Sequence, residues 1–287
     1  LGVVGEVMAL TRNAHCVHER HGRYEAPSFH GAMGQVVGEI DLRVFTQHWA
    51  FAYALTEQTH RTARRSIQVF DDAGIAVHKA YPTEATDMDA FDGLIADAAD
   101  FDAAPAAFSP PPEAERARPD AEIDAAALRA DWAALEHSHD FLGMLRRHGA
   151  TRAQAMRLGG TDFARPVSGD ATQAALERAA AGAIRLMIFV GNRGCVQIHS
   201  GPVETIKVTG PWLNVLDPRF NLHLRWDRIA SAFVVRKPSL RGDVHSLELY
   251  DADGFCFCQI FGERKPGETE RADWRALSAE LEALAPC

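Results

Sequence analysis

Long apolar runs are missing from this chain of 287 residues, and so is any excess of basic residues. No stretch of about 18 consecutive apolar residues occurs, so the sequence predicts no transmembrane helix. Aspartate and glutamate number 39 against 30 lysines and arginines, which gives a formal net charge of −9 and no basic face for nucleic acid. No secretory signal is recognisable. We therefore expect a protein that neither lies in a membrane nor binds nucleic acid.

Cysteine is scarce, and its spacing suits neither a zinc site nor a disulfide framework. The five cysteines are Cys16, Cys195, Cys256, Cys258 and Cys287. No CxxC pair occurs, and Cys256 and Cys258 lie two apart in a predicted strand, where they share a face but are poorly placed for a disulfide. We expect reduced thiols in a cytoplasmic protein. HExxH, GxSxG, phosphate-loop and dinucleotide motifs are also missing, so pattern alone favours a binding protein.

The chain contains an internal repeat. NAHCVHERHG at 13–22 matches NRGCVQIHSG at 192–201, and SIQVFDDAG at 66–74 matches SLELYDADG at 246–254. AFAY at 50–53 also matches ASAF at 230–233. Three blocks in the same order, at an offset of 179 or 180 residues, indicate two copies of one structural unit.

Each copy reads as alternating strands broken by Asn, Gly, Asp or Pro, which predicts an α+β fold of two tandem repeated halves. We expect a large antiparallel sheet with helices in each half. The first half spans 1–97, an Ala/Pro/acidic linker spans 98–120, and the second half spans 121–287. Helical patterns cover 121–147, 151–158, 170–183 and 268–284. Because helices precede the second sheet, a complete repeat would carry a helical segment before the first, and we expect that segment to be missing here.

Thirteen histidines are a conspicuous feature, and three of them lie in LEHSHDFLGMLRRHG at 135–149. On a continuous helix, His139 shares the inward stripe formed by Leu128, Trp132, Leu135 and Leu142, whereas His137 and His148 point to solvent. Gly143 lies one turn after His139, and a glycine inside a helix usually has a packing reason, such as a flat ligand. Alternatively, Ser138 caps a new helix that presents His139 in its first turn. An ordinary core histidine is the competing interpretation.

Five longer motifs carry a family resemblance: VMALTRNAHCVHERHGRY, GEIDLRVFTQHW, VGNRGCVQIHSGPV, GPWLNVLDPRFNLHLR and QIFGERKPG. With them, the chain resembles the cytoplasmic haem-utilisation proteins of the HemS/ChuS/PhuS type, also called hemin-degrading factors. The resemblance runs through the whole chain. It implies two similar halves with one haem b bound between them.

The resemblance also implies particular ligands for the haem iron. The family's axial histidine follows the pattern W-x6-H-[QD]-F, which Trp132 and His139-Asp140-Phe141 reproduce. His139 is therefore the implied iron ligand, and it is also the histidine that the helical stripe selects. An arginine of a DLR motif faces the other side of the iron, and here it is Arg43. Its alternative is a sheet-edge charge paired with Asp41 or Glu39.

The haem carboxylates are held in the family by polar and basic groups of the second half. The matching positions are Arg152, Lys237 and Gln259. Phe261 stands where some members have a tyrosine, which puts one propionate hydrogen bond in doubt. Leu142 stands where some members have a second histidine, so a ligand switch along this helix is not available.

Three functions remain open on the sequence, and the third of them is an iron-storage or buffering protein. The first is a cytoplasmic carrier that receives imported haem and transfers it onward, with a haem oxygenase or the inner-membrane haem importer as partner. The second is a haem-degrading enzyme, related to a haem oxygenase, that opens the macrocycle and releases iron. No flavin or nicotinamide motif is present, so a reductant would come from an external reductase. The sequence slightly favours the carrier.

Overall fold

The computed structural model describes residues 1–58, 63–100, 102–103, 106–111, 117–265 and 267–284. Its strands are β1 (Gly5–Arg12), β2 (Cys16–Gly22), β3 (Ser28–His30), β4 (Met33–Val36), β5 (Asp41–Phe45), β6 (Phe51–Gln58), β7 (Ala63–Phe70), β8 (Ala76–Thr86), β9 (Ala164–Val167), β10 (Leu186–Gly191), β11 (Cys195–Gly201), β12 (Ile206–Thr209), β13 (Trp212–Asp217), β14 (Phe220–Arg225), β15 (Ser231–Lys237), β16 (Val244–Tyr250) and β17 (Cys256–Gly262). Its helices are α1 (Met88–Ala98), α2 (Ala125–Ala133), α3 (Phe141–His148), α4 (Arg152–Leu158), α5 (Ala171–Ala181) and α6 (Ala272–Leu281).

Two large sheets confirm the predicted α+β class. One has the order β12-β13-β14-β2-β1-β8-β7-β6, and the other has the order β3-β4-β5-β11-β10-β17-β16-β15-β9. The pairings for which a register is established, such as β1 with β2 and β16 with β17, are antiparallel. The repeat makes β1 equivalent to β10, β2 to β11, β3 to β12, and so on up to β8 and β17. When each strand of the first sheet is exchanged for its equivalent, the strand order is identical to that of the first eight strands of the second sheet. The common strand order predicted from the repeat is therefore present.

The repeats exchange strands, which the sequence did not predict. Strands β3, β4 and β5 of the first repeat belong to the sheet of β10 and β11, with Val44 opposite Cys195 and Arg43 opposite Val196. Strands β12, β13 and β14 belong to the sheet of β1 and β2. Alternation determines which face of a strand is buried, but it does not determine which backbone edge the strand pairs with. The expectation that each half forms its own sheet is wrong in this respect.

Contacts divide the chain into two compact units. The first comprises residues 1–113, 189–199 and 217–223, and the second comprises 114–188, 200–216 and 224–287. In the first unit, the buried residues Val7, Ala9 and Leu42 pack with Phe91 of α1. Helix α1 begins at Met88 and is capped by Asp87, whose side chain accepts a hydrogen bond from Ala90 N. The halves predicted at 1–97 and 121–287 remain a sequence prediction.

In the second unit, helices α2, α3 and α4 cover one face of β15 and β16. Leu128, Trp132 and Phe141 from the helices form a buried cluster with Val235 and Tyr250 from the strands. The predicted helix over 121–147 is not continuous. Helix α2 ends at Ala133, a 3₁₀ turn covers Ser138–Asp140, and α3 begins at Phe141. Within the part of the chain that the structure describes, neither the 3₁₀ turn nor α3 has a side-chain cap, and Ser138 Oγ instead accepts a hydrogen bond from Arg264 Nη2 at 3.2 Å.

Of the other predicted helices and strands, some are confirmed, some differ in length and some elements were not predicted. The helices predicted at 151–158 and 170–183 are confirmed as α4 and α5, and the helix predicted at 268–284 is shorter and forms α6. Helix α1, the short strands β3, β4 and β9, and strand β5 were missed. The predicted linker lies partly outside the described residues, at 101, 104–105 and 112–116, while 106–111 and 117–119 lack helix and strand. Among the described residues, no helix is long and apolar enough to cross a membrane.

Candidate functional site

His139 lies in the 3₁₀ turn between α2 and α3, and its side chain is exposed. The stripe that predicted it splits at the break: Leu128, Trp132 and Leu135 are buried, whereas His139 and Leu142 are exposed. The inward-facing prediction for His139 is therefore wrong, because the helix that defined the stripe ends before the turn. The alternative of a new helix close to Ser138 is nearer to the structure. Helix α3 begins two residues after His139.

Two aromatic rings hold this turn in place. Phe141 is buried and meets Trp132 edge to face, with ring centroids 4.7 Å apart. Trp132 also stacks on Phe163 and donates from Nε1 to the carbonyl of Arg236 at 3.0 Å. The W-x6-H-D-F pattern is therefore a packing unit, in which the Trp and the Phe anchor the residues that carry His139.

A surface pocket of about 420 Å³ opens beside His139. Its lining includes His139, Gly143, Arg146 and Arg147. A methyl group built on Gly143 would meet only the Nη1 atom of Arg147, at 3.9 Å. Packing inside the protein therefore does not require glycine at this position. The open space leaves room for a flat ligand on the side of α3 that carries Gly143.

The residues predicted to bind carboxylates converge on an acidic side chain that the sequence analysis missed. Glu248 of β16 is fully buried, and Arg152 donates to it from Nε at 2.8 Å and from Nη2 at 3.0 Å. Lys237, Ser246 and Tyr250 also donate hydrogen bonds to Glu248. Arg152 Nη2 reaches Gln259 Oε1 at 3.0 Å. We call these residues the Glu248 cluster: Arg152, Lys237, Ser246, Glu248, Tyr250 and Gln259.

The local sequence explains how Arg152 enters this cluster. Arg152 is the first residue of α4, and Thr151 and Gln154 form a capping box at that helix end. Strand β16 contributes Ser246, Glu248 and Tyr250 from one face, because they alternate along the strand. That face is covered by helices, although a polar face is normally solvated. The signal in the sequence for Glu248 was its position on the polar face of this strand, between Ser246 and Tyr250.

Burial and the neighbouring charges together shift the pKa values of the ionisable side chains in the Glu248 cluster. Burial by itself would raise the pKa of Glu248, but Arg152 and Lys237 outweigh burial and hold that pKa well below its usual range. Burial lowers the pKa of Lys237, and Glu248 opposes this. Burial also raises the pKa of the Tyr250 phenol, which Glu248 reinforces. With Glu248 ionised and with Arg152 and Lys237 protonated, the cluster has one excess positive charge.

The cluster adjoins the turn of His139 through Phe141. The guanidinium carbon of Arg152 lies 5.5 Å from the centre of the Phe141 ring, and Lys237 Nζ lies 5.1 Å from it. Lys237 Nζ also lies 5.6 Å from the centre of the Phe261 ring. The second unit therefore holds five of the predicted site residues, His139, Arg152, Lys237, Gln259 and Phe261.

Arg43 belongs to the first unit, where it lies on β5 with 39% of its side chain exposed. It forms an ion pair with Asp41 and donates to the carbonyl of Leu42 at 3.1 Å. Burial raises the pKa of Asp41, and Arg43 opposes that change. The alternative interpretation of Arg43, a sheet-edge charge paired with an acidic neighbour, predicted this ion pair with Asp41. Strand β5 is nevertheless interior to its sheet, between β4 and β11.

Other histidines have structural partners. His245 pairs through Nδ1 with Glu270 at 2.7 Å, and the ring of His199 stacks on Phe220 with centroids 3.8 Å apart. His148, predicted to be solvated, is half-buried and contacts Asp131 at 2.9 Å, so that prediction is wrong. Its partner lies one helix away, beyond the reach of a single-helix pattern. His137 is exposed, as predicted.

Comparison with known proteins agrees with these features. A family model described as the haemin-degrading HemS.ChuX domain matches residues 1–98 and 149–281. Five of the six predicted site residues lie inside the matched ranges, and His139 lies between them. The hemin transport protein HemS of Yersinia enterocolitica is 41% identical over 283 residues, which cover 98% of this chain and 81% of that protein.

Solved structures show the same similarity. The structure of holo-PhuS, a heme-binding protein from Pseudomonas aeruginosa, has a TM-score of 0.93 and 47% identity, and covers 98% of this chain and 82% of that chain. The heme degrading enzyme ChuS of Escherichia coli O157:H7 has a TM-score of 0.90 and 39% identity, with the same two coverages. The chain is a member of the haemin-degrading HemS.ChuX family.

Proposed function

We propose that this chain binds haem b in the cytoplasm, receives it after import and transfers it onward. The observation that carries the proposal is the contact of the Glu248 cluster with Phe141: a cationic group of buried side chains packs against a ring two residues from an exposed imidazole. Haem needs both features, because it combines an iron that accepts imidazole with two carboxylates. Charge-assisted hydrogen bonds to carboxylates are about twice as strong as neutral ones.

Each proposed contact follows from the chemistry of the side chain. His139 would bind the iron, and Arg152 and Gln259 would bind a haem carboxylate. Gly143 would leave space for the porphyrin beside α3. Arg43 would face the opposite side of the iron and favour an anionic ligand there, because its guanidinium stays protonated. Bound haem supplies the redox chemistry, and these residues supply ligation and orientation.

The names of the relatives support both transport and degradation. HemS of Y. enterocolitica and HmuS of Yersinia pestis, each 41% identical, are hemin transport proteins, and PhuS is a heme-binding protein. ChuS, at 38–39% identity, is described as a heme degrading enzyme and as a heme oxygenase. The more similar of these relatives are named for transport and binding, so transfer is the first candidate and degradation the second.

One reconstitution experiment separates the two functions. The protein is loaded with haemin without oxygen, and oxygen and a reductase are then added in the presence of catalase, which removes free peroxide. A stable Soret band, followed by haem transfer to an added haem oxygenase, supports the carrier. Loss of the Soret band with a defined open-chain tetrapyrrole and free iron supports the enzyme. A chain that does not bind haemin at all contradicts both.

A further inference from the structure

Glu248 accepts more hydrogen bonds than a carboxylate needs for simple burial. Its Oε2 atom accepts from Arg152 Nε and Tyr250, and its Oε1 atom accepts from Arg152 Nη2, Lys237 and Ser246. A buried ion pair is weak evidence for stability, because desolvation costs as much as the attraction returns. An arrangement that engages five donors on one carboxylate therefore calls for a reason other than stability.

The arrangement orients Arg152. Its Nε and Nη2 groups are used by Glu248 and Gln259, and among the residues that the structure describes no acceptor engages Nη1. The side chain keeps 20% of its surface exposed. One edge of the guanidinium is therefore fixed against Glu248, and the two N–H groups of Nη1 remain available to a ligand carboxylate.

Gln259 is oriented by the same contact. Because Arg152 Nη2 carries only hydrogens, the atom of Gln259 that faces it must be the carbonyl oxygen Oε1. The amide nitrogen of Gln259 is then turned away from Arg152 and has donors to offer. Lys237 differs, because only 3% of its side chain is exposed and its ammonium is enclosed by Glu248, Phe141 and Phe261.

We propose that Glu248 is a positioning residue for ligand binding. It engages Arg152 through Nε and Nη2 and leaves Nη1 for a ligand, holds Gln259 through Arg152, and cancels one of the two positive charges, which leaves the cluster matched to a single carboxylate. This inference rests on the proposed haem function and refines it. Of the three residues predicted to bind propionates, Arg152 and Gln259 touch the ligand carboxylate, and Lys237 acts through Glu248.

The test measures how strongly binding depends on the ligand's carboxylates. Dissociation constants are measured for haemin and for haemin dimethyl ester, which has no ionisable carboxylate, and their ratio gives the carboxylate preference. We expect wild type to prefer haemin by tenfold or more, since a charge-assisted hydrogen bond is worth that factor. In Glu248→Gln the preference falls close to one, although the cluster gains positive charge. A preference that stays the same or rises overturns the proposal.

A double-mutant cycle separates positioning from general structural damage. If Glu248 acts through Arg152, then Glu248→Gln combined with Arg152→Ala loses no more preference than Arg152→Ala alone. Additive losses contradict that coupling. Glu270→Gln is the matched control, because Glu270 is a buried carboxylate of the same unit, paired with His245 instead. It is expected to destabilise the fold and to leave the preference unchanged.

A milder variant covers the case in which Glu248→Gln does not fold. Tyr250→Phe removes one donor to Glu248 and keeps every charge, and it should lower the preference by a smaller factor. An unchanged preference in folded Tyr250→Phe counts against positioning by Glu248. If wild type fails to bind haemin, the proposed function fails first. If wild type binds haemin and the variants keep its preference, only the inference about Glu248 fails.

Discussion

Arg152 and Glu248 form a bidentate pair, with Nε to Oε2 at 2.8 Å and Nη2 to Oε1 at 3.0 Å, and the carboxylate is fully buried. The pair joins the first residue of α4 to the middle of β16. It therefore ties the helical layer of the second unit to its sheet at the place where the ligand's carboxylate is proposed to bind. The fold and the proposed binding therefore share this contact.

Acid is expected to destabilise the fold through His78. This buried ring contacts Thr11 Oγ1 at 2.9 Å and the Tyr24 hydroxyl at 2.6 Å, and burial lowers its pKa from 6.5 to about 4. Below pH 6.5 the unfolded chain takes up a proton that the folded chain refuses until about pH 4. The stabilisation is therefore complete above pH 6.5 and is lost as the pH falls toward 4. The loss should approach about 3 kcal/mol.

Urea unfolding at several pH values, on wild type and His78→Gln, measures this contribution. The variant should be less stable at pH 7 but should show a shallower decline between pH 6.5 and 4. His18 is also buried, with a pKa held well below its usual value by burial, so some decline remains in the variant. Equal slopes in the two proteins would show that His78 is not a source of acid sensitivity.

Gly143→Ala should stabilise the protein and weaken haemin binding. The added methyl group meets only Arg147 Nη1 at 3.9 Å, and alanine favours a helix over glycine by up to about 1 kcal/mol. The methyl group projects into the space assigned to the porphyrin, and Gly143→Leu should weaken binding further. Thermal unfolding and Soret titration measure the two effects. Gly93→Ala in α1, where a methyl group also meets open space, is the control that should stabilise without affecting haemin.

Arg43→Ala should leave the iron bond of His139 intact and change the ligand on the opposite side. A fixed guanidinium favours an anionic ligand over a neutral one, so its loss should move the acid–alkaline spectral transition of the haemin complex to higher pH. Asp41→Asn is the companion variant, because it removes the partner of Arg43 and keeps the guanidinium. An unchanged transition in Arg43→Ala would leave Arg43 as a partner of Asp41 alone.

Phe261→Tyr should tighten haemin binding. The ring of Phe261 lies 5.6 Å from Lys237 Nζ, and a hydroxyl at this position adds a donor for a haem carboxylate. One neutral hydrogen bond is worth about 0.5–1.5 kcal/mol, which predicts a gain of roughly twofold to tenfold. The gain should vanish with haemin dimethyl ester if the hydroxyl donates to a carboxylate. Equal gains for both ligands would indicate improved packing instead.

Local pattern predicted most of the strands, because they are marked either by alternation, as in β10, or by a continuous apolar run, as in β1. It missed the short strands β3, β4 and β9, which are too short to show a period, and it also missed the five-residue strand β5. Helix α1 was missed although its signals are present, since Asp87 caps it and Phe91 lies on its buried face. The exchange of strands between the repeats depends on backbone pairing across distant segments, which periodicity does not encode.

For the candidate site, sequence pattern and family resemblance together proposed residues but did not predict how those residues are arranged. His139 was selected partly by a stripe on a helix that the structure interrupts, whereas Trp132 and Phe141 of the family pattern do pack against each other. Arg152 and Lys237 were assigned to a ligand, and the structure shows both on Glu248. Glu248 is 96 residues from Arg152, and only folding brings the two together.

The most direct measurement is haemin titration of His139→Ala beside His137→Ala, with the Soret and visible bands recorded for each. Both side chains are exposed, so neither substitution should unfold the protein. We expect His139→Ala to lose the six-coordinate or low-spin spectrum and to bind haemin far more weakly, and His137→Ala to match wild type. Equal spectra from the two variants would contradict the assignment of His139 as the iron ligand.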